Sequence, residues 1–276
     1  MSPSFPDGIP HRVRAVHLRD GRRLLCDSHI PLAVADRRCY ADGMHGLTLW
    51  DIYLSPFSER VRWVLELKGL AYTRRPYQPI ADEDELRRTT GISTAPVLVS
   101  DGRVVGDSDA AVDWAEETRP TPALLPADPR QRAAVRSLEL MATETLAPAG
   151  RLFMIGQWQA AKFQPFADHF AAKYHWSKEA EARAVATLER TLPELANAVA
   201  ASPYLVGDAF TRADLTIACM LTPTLGAPPD DLFALDDQMR ALFKLPIGKD
   251  PRLAPLRAWR DETYRRHRGG RVVPAT

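Results

Sequence analysis

Three short stretches of the chain carry residue types suited to holding a small polar ligand. Ser55 stands between an aliphatic and aromatic run, Leu47-Thr48-Leu49-Trp50-Asp51-Ile52-Tyr53, and a segment of helical spacing that follows Pro56. At such a strand-to-helix junction a side chain can meet a ligand anion while the first helical N–H groups supply positive dipole. A serine has no accessible anionic form near neutrality, so it would donate a hydrogen bond rather than act as an activated nucleophile. No adjacent His/Asp pair is visible to activate it, which weighs against serine hydrolysis. Ser55 or Ser58 equally suits a plain helix cap beside a proline. Ala95-Pro96-Val97 opens a second strand. Pro96 is ordinary punctuation there, or, with a cis bond, it exposes the Val97 backbone to pair with a ligand's peptide group as one strand pairs with another. Asp107-Ser108 places a carboxylate and a hydroxyl at a helix start. The pair suits the ammonium and carboxylate end of an amino-acid-like ligand, and alone it is also a simple cap.

Other chemistries find little support. His11, His17 and His29 form no compact ligand motif, and His169 and His175 lack an HExxH arrangement. There is no GxGxxG or GxxxxGK[ST] loop, so neither a metal nor a nucleotide cofactor is expected. Cys26, Cys39 and Cys219 are too few and too scattered for a disulfide framework or a metal knuckle, which points to a reducing, cytoplasmic setting. Cys219 sits among apolar helical residues and reads as core. Lysine and arginine number 36 against 35 acidic residues, a net charge of +1 that calls for no nucleic acid. No run reaches the roughly 18 to 20 apolar residues that a bilayer requires, and the first residues lack the apolar stretch of a secretory signal.

The elements that must position these residues follow from patterning. With 276 residues, 45% of them hydrophobic and 26% charged, the chain can bury the core of one large or two modest domains, which excludes wholesale disorder. Residues 1–45 mix short apolar runs with Arg, Asp and Pro. They read as an N-terminal extension of uncertain order that forms two short strands around Asp20-Gly21 or stays loose, or as a stretch lying ahead of a start at Met44. Seven arginines there are offset by five aspartates, too little for a nucleic-acid arm. Residues 46–119 alternate strand (47–53), helix (61–68), strand (71–77), helix (84–90), a hairpin (97–105) turning at Ser100-Asp101-Gly102, and a helix (109–117). That order requires a four-stranded sheet with helices on its faces. Residues 120–129 are proline-rich and read as a linker.

Residues 130–276 are alanine-rich, with helices expected at 131–147, 163–175, 178–200, 211–221 and 255–267, because alanine and straight-chain residues lose little entropy there. A short helix at 235–243 offers an apolar face to a cavity or a partner. Phe153, Trp158, Phe163, Phe166, Phe170, Tyr174 and Trp176 form a candidate wall for an apolar pocket, or ordinary core. The arginines from Arg257 to Arg271 read as a solvated basic helix terminus and tail, or as an attraction for an acidic substrate or partner.

Taken together, Ser55-Pro56-Phe57-Ser58-Glu59-Arg60-Val61-Arg62, Ser93-Thr94-Ala95-Pro96-Val97-Leu98, Gly106-Asp107-Ser108 and Tyr204 to Asp214 resemble, in order and spacing, the soluble glutathione transferases of serine type. The resemblance covers most of residues 47–267. It implies a fold of α/β plus all-α class, a thioredoxin-like N-terminal domain followed by a helical glutathione-transferase C-terminal domain. It further implies reduced glutathione as co-substrate with no tightly bound cofactor, and a homodimer. Ser55 would hydrogen-bond the glutathione sulfur and stabilise its thiolate. Pro96 would be cis, Val97 would pair with the cysteinyl part, and Asp107 with Ser108 would hold the γ-glutamyl end, although the family usually has glutamate where Asp107 stands. Thr211 and Asp214 would form a helix capping box, as their spacing also suggests. Serines at both positions where a CxxC could stand speak against dithiol exchange. The implied activity is attack of the thiol on a small hydrophobic electrophile. The alternatives are an isomerase like maleylacetoacetate isomerase, whose Ser-Ser-Cys pattern differs from Ser55-Pro56-Phe57-Ser58, a dehalogenase or ether-cleaving enzyme, or a non-catalytic glutathione-binding protein.

Overall fold

The structure, a computed structural model, describes residues 14–17, 23–26, 46–229, 231–243 and 245–269. Residues 1–39 and 40–276 form separate units. In the first, β1 (Arg14–His17) pairs antiparallel with β2 (Arg23–Cys26), with Arg14 opposite Cys26 and His17 opposite Arg23. The expected hairpin is therefore present. The Asp20-Gly21 turn, Cys39, Met44 and Arg271 lie outside the described residues.

The second unit begins with a four-stranded sheet of order β4-β3-β5-β6, built from β3 (Leu47–Asp51), β4 (Thr73–Pro76), β5 (Val97–Ser100) and β6 (Arg103–Gly106). β3 runs parallel to β4 and antiparallel to β5, and β5 pairs antiparallel with β6. Period-two alternation sends Leu49 and Leu98 to one face, where α1 (Pro56–Leu67) and α3 (Ser108–Thr118) pack. Trp50, Val97 and Val99 go to the other face, where they meet Leu86 of α2 (Glu83–Thr90). This is the four-stranded sheet with helices on its faces that the element order requires, in the thioredoxin-like form that the family resemblance implies.

The segment after α3 is clamped. Leu124 is buried, its N–H donates to Glu116 Oε1 at 3.1 Å, and its carbonyl accepts from Arg212 N at 3.0 Å. Lys68 ties the same stretch to α1 by donating to the Pro122 carbonyl at 2.5 Å and pairing with Glu116 at 2.7 Å.

The remaining chain is helical. α4 (Pro129–Met141) continues through a π-helical turn (Ala142–Leu146) into α5 (Ala147–Ala160). The expected helix over 131–147 is thus one half of a longer rod. Pro148, Gly150 and Gly156 obscure the second half, because each is a poor helix former. The π turn widens the backbone ring just ahead of Pro148 and relieves the clash that a proline makes with the carbonyl four residues back. Gly150 serves packing: a Cβ there would lie 3.0 Å from Pro223 Cβ and 3.1 Å from Thr224 Cγ2. α6 (Phe166–Lys173) is shorter than the 163–175 expected, since it starts only after Pro165. α7 (Lys178–Ala201) and α8 (Arg212–Met220) follow, then a short α9 (Thr222–Leu225), α10 (Asp237–Leu242) and α11 (Ala254–His267).

Every residue of α8 is buried, so its ends require internal partners. Thr211 and Asp214 supply them at the N-terminus. Asp214 Oδ2 accepts from Thr211 N at 2.8 Å and from Thr211 Oγ1 at 2.9 Å, and Oδ1 accepts from Leu205 N at 2.8 Å. Asp214→Ala strands two buried donors of Thr211 and the part-buried Leu205 N–H together and is expected to destabilise the protein by about 2 kcal/mol, read as a lowered urea midpoint.

Two ion clusters join the sheet domain to the helices. Buried Arg60 on α1 pairs with Asp109 and, at 2.8 Å, with Glu139, while Arg212 reaches Glu139 at 2.9 Å and Asp113 at 2.7 Å. At the C-terminal end, Arg268 is 2% exposed and pairs with Glu59 and Glu66 of α1. Arg260 is also buried and donates to the Gly226 carbonyl at 2.9 Å. This corrects the reading of a solvated terminus for Arg260 and Arg268, whereas Arg265 and Arg266 are exposed as expected. A formal charge pattern cannot tell an arginine facing water from one aimed at a carboxylate two hundred residues away in sequence. Cys219 is core as expected: it is fully buried, it accepts from the Tyr264 hydroxyl at 3.6 Å, and burial pushes its thiol far above the ordinary range.

Candidate functional site

The loop between β3 and α1 places Ser55 at the N-cap of α1 in extended conformation, with Pro56 as the first helical residue. Ser55 Oγ accepts from Ser58 N at 3.3 Å. Ser58 is fully buried, and its own Oγ accepts from Ile52 N at 3.1 Å. The two serines are thereby separated in role. Ser58 fastens the loop from inside, while Ser55 both caps the helix and lines a cavity of about 610 Å³. Its hydroxyl oxygen is fixed by the bond it accepts, and among the described residues its proton has no assigned acceptor, so the O–H is left to a ligand.

Pro96, Asp107 and Ser108 line the same cavity. The Ala95–Pro96 peptide is cis. Asp107 caps α3 through Oδ1, which accepts from Asp109 N at 3.1 Å and Ala110 N at 3.2 Å, leaving Oδ2 uncommitted to that cap. Ser108 is 4% exposed.

Val97 is placed differently from the other expected site residues. Its side chain is fully buried against Trp50 and Leu86, and it belongs to β5, a central strand flanked by β3 and β6. The cavity wall at this point is Thr94, Ala95 and Pro96. On its β3 side Val97 stands opposite Trp50, and the β5–β6 ladder starts one residue later, at Leu98 opposite Gly106.

The helical half closes the cavity. Trp158, Phe166, Phe170 and Tyr174 stand on its wall as expected. Phe153 belongs to the main core, and Phe163 and Trp176 pack behind the wall. The short helix expected at 235–243 forms as α10 and presents Met239 and Leu242, with Phe243 just beyond, to the cavity. It is fastened by Trp158 Nε1, which donates to the Leu242 carbonyl at 2.9 Å. The stretch leading to it is held by the Tyr53 hydroxyl, which donates to the Ala234 carbonyl at 3.1 Å and accepts from Ala234 N at 2.9 Å.

Sequence reasoning passed over three polar residues on this wall. Tyr77 is 3% exposed, and burial, reinforced by Glu83, pushes its hydroxyl up to about 12. Glu144 is exposed, on a π turn whose Ala142, Thr143 and Leu146 are buried. Arg151, one turn into α5, has its guanidinium carbon 5.3 Å from the Phe57 ring centroid and 4.1 Å from that of Tyr174. The available signal was a single cation inside the apolar stretch 145–158. The site therefore has a polar side at the ends of β3, β5 and β6 and an apolar, aromatic side with one cation. It can hold an extended peptide-like ligand against a hydrophobic second molecule.

Among the described residues no group of His, Cys, Asp and Glu could hold a metal, and no helix is long and apolar enough to cross a membrane.

Comparison with known proteins agrees with this architecture. Residues 49–123 match the glutathione S-transferase N-terminal domain and residues 154–229 the glutathione S-transferase C-terminal domain. Maleylacetoacetate isomerase of Rattus norvegicus is 31% identical over 175 residues, spanning 62% of this chain and 74% of that protein. Among solved structures, a maleylacetoacetate isomerase from Anaeromyxobacter dehalogenans 2CP-1 with bound GSH is 27% identical, with 79% of this chain and 89% of that one covered at a TM-score of 0.50. A theta class glutathione S-transferase from Xanthomonas axonopodis pv. citri, 23% identical, shares the fold over 83% of this chain and all of that one, with a TM-score of 0.59. The chain belongs to the glutathione S-transferase family.

Proposed function

We propose that the protein is a glutathione-dependent isomerase that turns a cis double bond conjugated to a carbonyl into its trans form. The observation that carries this reading is the Ser55 hydroxyl, held by its acceptor bond at the N-terminus of α1 and opening into a cavity that is polar on one side and aromatic on the other. Glutathione bound along the polar side would lay its cysteinyl peptide on Ala95 and Pro96 and its γ-glutamyl ammonium on the second oxygen of Asp107, which reaches one methylene less far than the family's usual glutamate. Its sulfur would then stand at Ser55, where the hydroxyl and the helix dipole both favour the thiolate.

The thiolate adds to one carbon of the double bond, forming a C–S bond and moving an electron pair onto the carbonyl oxygen as an enolate. Rotation about what is now a single bond follows. Return of the electron pair expels the thiolate and leaves the trans alkene, so glutathione is regenerated and no proton, oxidant or reductant is consumed.

A conjugating transferase, the first expectation from sequence, would use the same thiolate but keep the C–S bond. The maleylacetoacetate isomerases at 31% and 27% identity favour the reversible course, although Phe57 stands in the serine loop where that group carries Ser-Ser-Cys. The test is maleylacetoacetate with a small, substoichiometric amount of glutathione. Full conversion to the trans isomer with no loss of free thiol is expected. Consumption of one thiol per substrate would make it a conjugating transferase, and glutathione binding with neither change would make it a binding protein.

A further inference from the structure

We infer that the seam between α2 and α6 is a door to the cavity, latched by Lys173, and that its opening sets how fast ligands enter and leave. The inference rests on the glutathione reading only for the choice of ligand in its test.

The α6 segment has two working stripes. Phe166, Phe170 and, just past its end, Tyr174 recur every four residues and line the cavity, while His169 and Lys173, also four apart, meet Glu83 of α2. Lys173 Nζ donates to Glu83 Oε2 and to the Ser93 carbonyl, both at 3.3 Å. One side chain thus ties the helical half both to α2 and to the turn ahead of Pro96. From the sheet side, Tyr77, Gln78, Pro79 and Thr94 bring the cavity up to the same seam. Each of the two helices has eight residues and little buried anchorage: Leu86 and Thr90 in α2, Ala167 in α6. Short elements with few buried residues belong to the low end of local stability.

The closed seam carries two costs that opening relieves. The first is polar. The Tyr77 hydroxyl and His169 Nε2 are buried with no hydrogen-bond partner among the described residues, the latter 3.9 Å from Glu83 Oε2, too far for such a bond. Buried polar groups left this way are expensive, and water admitted to the seam would satisfy both. The second cost is backbone strain. Four non-glycine residues among those described have φ in the left-handed region, and one of them, Asp101, belongs to the hairpin turn. The other three flank the seam: Ile80 (φ 79°) ahead of α2, and Lys162 (φ 58°) and His175 (φ 52°) on either side of α6. Gly91 (φ 75°) caps the far end of α2. Ile80 is β-branched and fits that region worst. Both helices are therefore bounded at both ends by residues in the left-handed region, the places where a change in φ and ψ is absorbed when an element swings. The Lys173 latch is the polar contact that holds the two helices together against these costs.

The test is stopped-flow binding of S-hexylglutathione to the full-length protein, followed by tryptophan fluorescence, since Trp158 stands on the cavity wall. Lys173→Met keeps the apolar stem and removes the latch. It is expected to raise the association and dissociation rate constants together, by about 5- to 30-fold, and to leave Kd within about threefold, because a door speeds passage both ways without touching the bound ligand. Glu83→Gln should act in the same direction but less, since Lys173 keeps the Ser93 carbonyl, and the double variant should add little to Lys173→Met, because both changes release one latch. His175→Gly relaxes a left-handed residue of the closed form and should lower both rate constants, by about threefold. A changed Kd at an unchanged association rate would make Lys173 a ligand contact, and unchanged rates in Lys173→Met would mean that traffic does not pass the seam; either result overturns the inference. If the wild-type protein binds neither glutathione nor S-hexylglutathione, the glutathione reading falls, and the door is read without a ligand by hydrogen exchange. Amides of α2 and α6 should then exchange at least about tenfold faster in Lys173→Met than in wild type, with those of α4 and α8 unchanged. Equal exchange in α2 and α6 would overturn the door itself.

Discussion

Ser55→Ala is expected to raise the pKa of bound glutathione by about 1 to 2 units and to lower kcat by about 10- to 100-fold, with a far smaller loss of glutathione affinity. A hydrogen bond to a charged group is worth about 1.5 to 3 kcal/mol, and each pKa unit corresponds to about 1.4 kcal/mol between the two protonation states. The bond from Ser55 favours the thiolate over the thiol, so its loss appears in the ionisation before it appears in binding. In the proposed pose the rest of glutathione lies on Ala95, Pro96, Asp107 and Ser108, and the substitution leaves those positions unchanged.

The sign of the pH dependence follows. Below the thiol pKa of the variant, activity should fall tenfold per pH unit, and the alkaline plateau should move up by the same 1 to 2 units. Ser55 also caps α1, so the alanine variant should lose about 1 kcal/mol of stability. Ser55→Thr separates the two effects, because it keeps a hydroxyl at the same position and should retain most of the thiolate. Ultraviolet difference spectra of bound glutathione across pH read the ionisation directly. Equal thiol pKa and equal turnover in wild type and Ser55→Ala would remove Ser55 from catalysis.

What the sequence made legible was local. The Leu47 strand, the helix that follows Ser55, the Asp101-Gly102 turn and the Thr211/Asp214 cap are each decided by neighbours within a few residues and each formed, the strand two residues shorter and the helix starting five residues earlier than read. The misses depend on partners distant in sequence. Arg268 looked solvated until α11 packed on α1 and met Glu59 and Glu66, some two hundred residues earlier. The second half of the α4–α5 rod carried two glycines and a proline, and it is helical because it packs along α7 and α9. Arg151 drew no attention because a lone cation in an apolar helix is read as surface unless the cavity beside it is seen.

Arg62→Met is expected to lower stability by about 3 kcal/mol and to reduce catalysis in the protein that remains folded. Arg62 is 1% exposed. It pairs with Asp51 and Glu59 and donates to the Tyr53 carbonyl at 2.6 Å and the Ile52 carbonyl at 3.3 Å. Burial alone would lower the affinity of its guanidinium for its proton, but Glu59 and Asp51 outweigh burial and raise it. Removing one partner of a buried ion cluster costs about 3 to 5 kcal/mol, mostly because the partner left behind is charged and dry. Here each orphan keeps a second cation, since Arg74 reaches Asp51 at 2.8 Å and Arg268 reaches Glu59 at 2.5 Å, which places the cost at the lower end.

The effect on catalysis arises from the carbonyls. Ile52 and Tyr53 belong to the loop that delivers Ser55, and Ser55 N donates to the Ile52 carbonyl at 3.1 Å. Without the guanidinium this loop loses the fastening that sets the hydroxyl's position. Adding Asp51→Asn and Glu59→Gln to Arg62→Met should recover part of the urea midpoint, because the orphaned charges are then gone, but should not recover kcat, because the carbonyls remain unheld. Recovery of both together would mean that Arg62 acts on Ser55 only through global stability. A loss below about 1 kcal/mol for Arg62→Met alone would mean that water enters the cluster and solvates it.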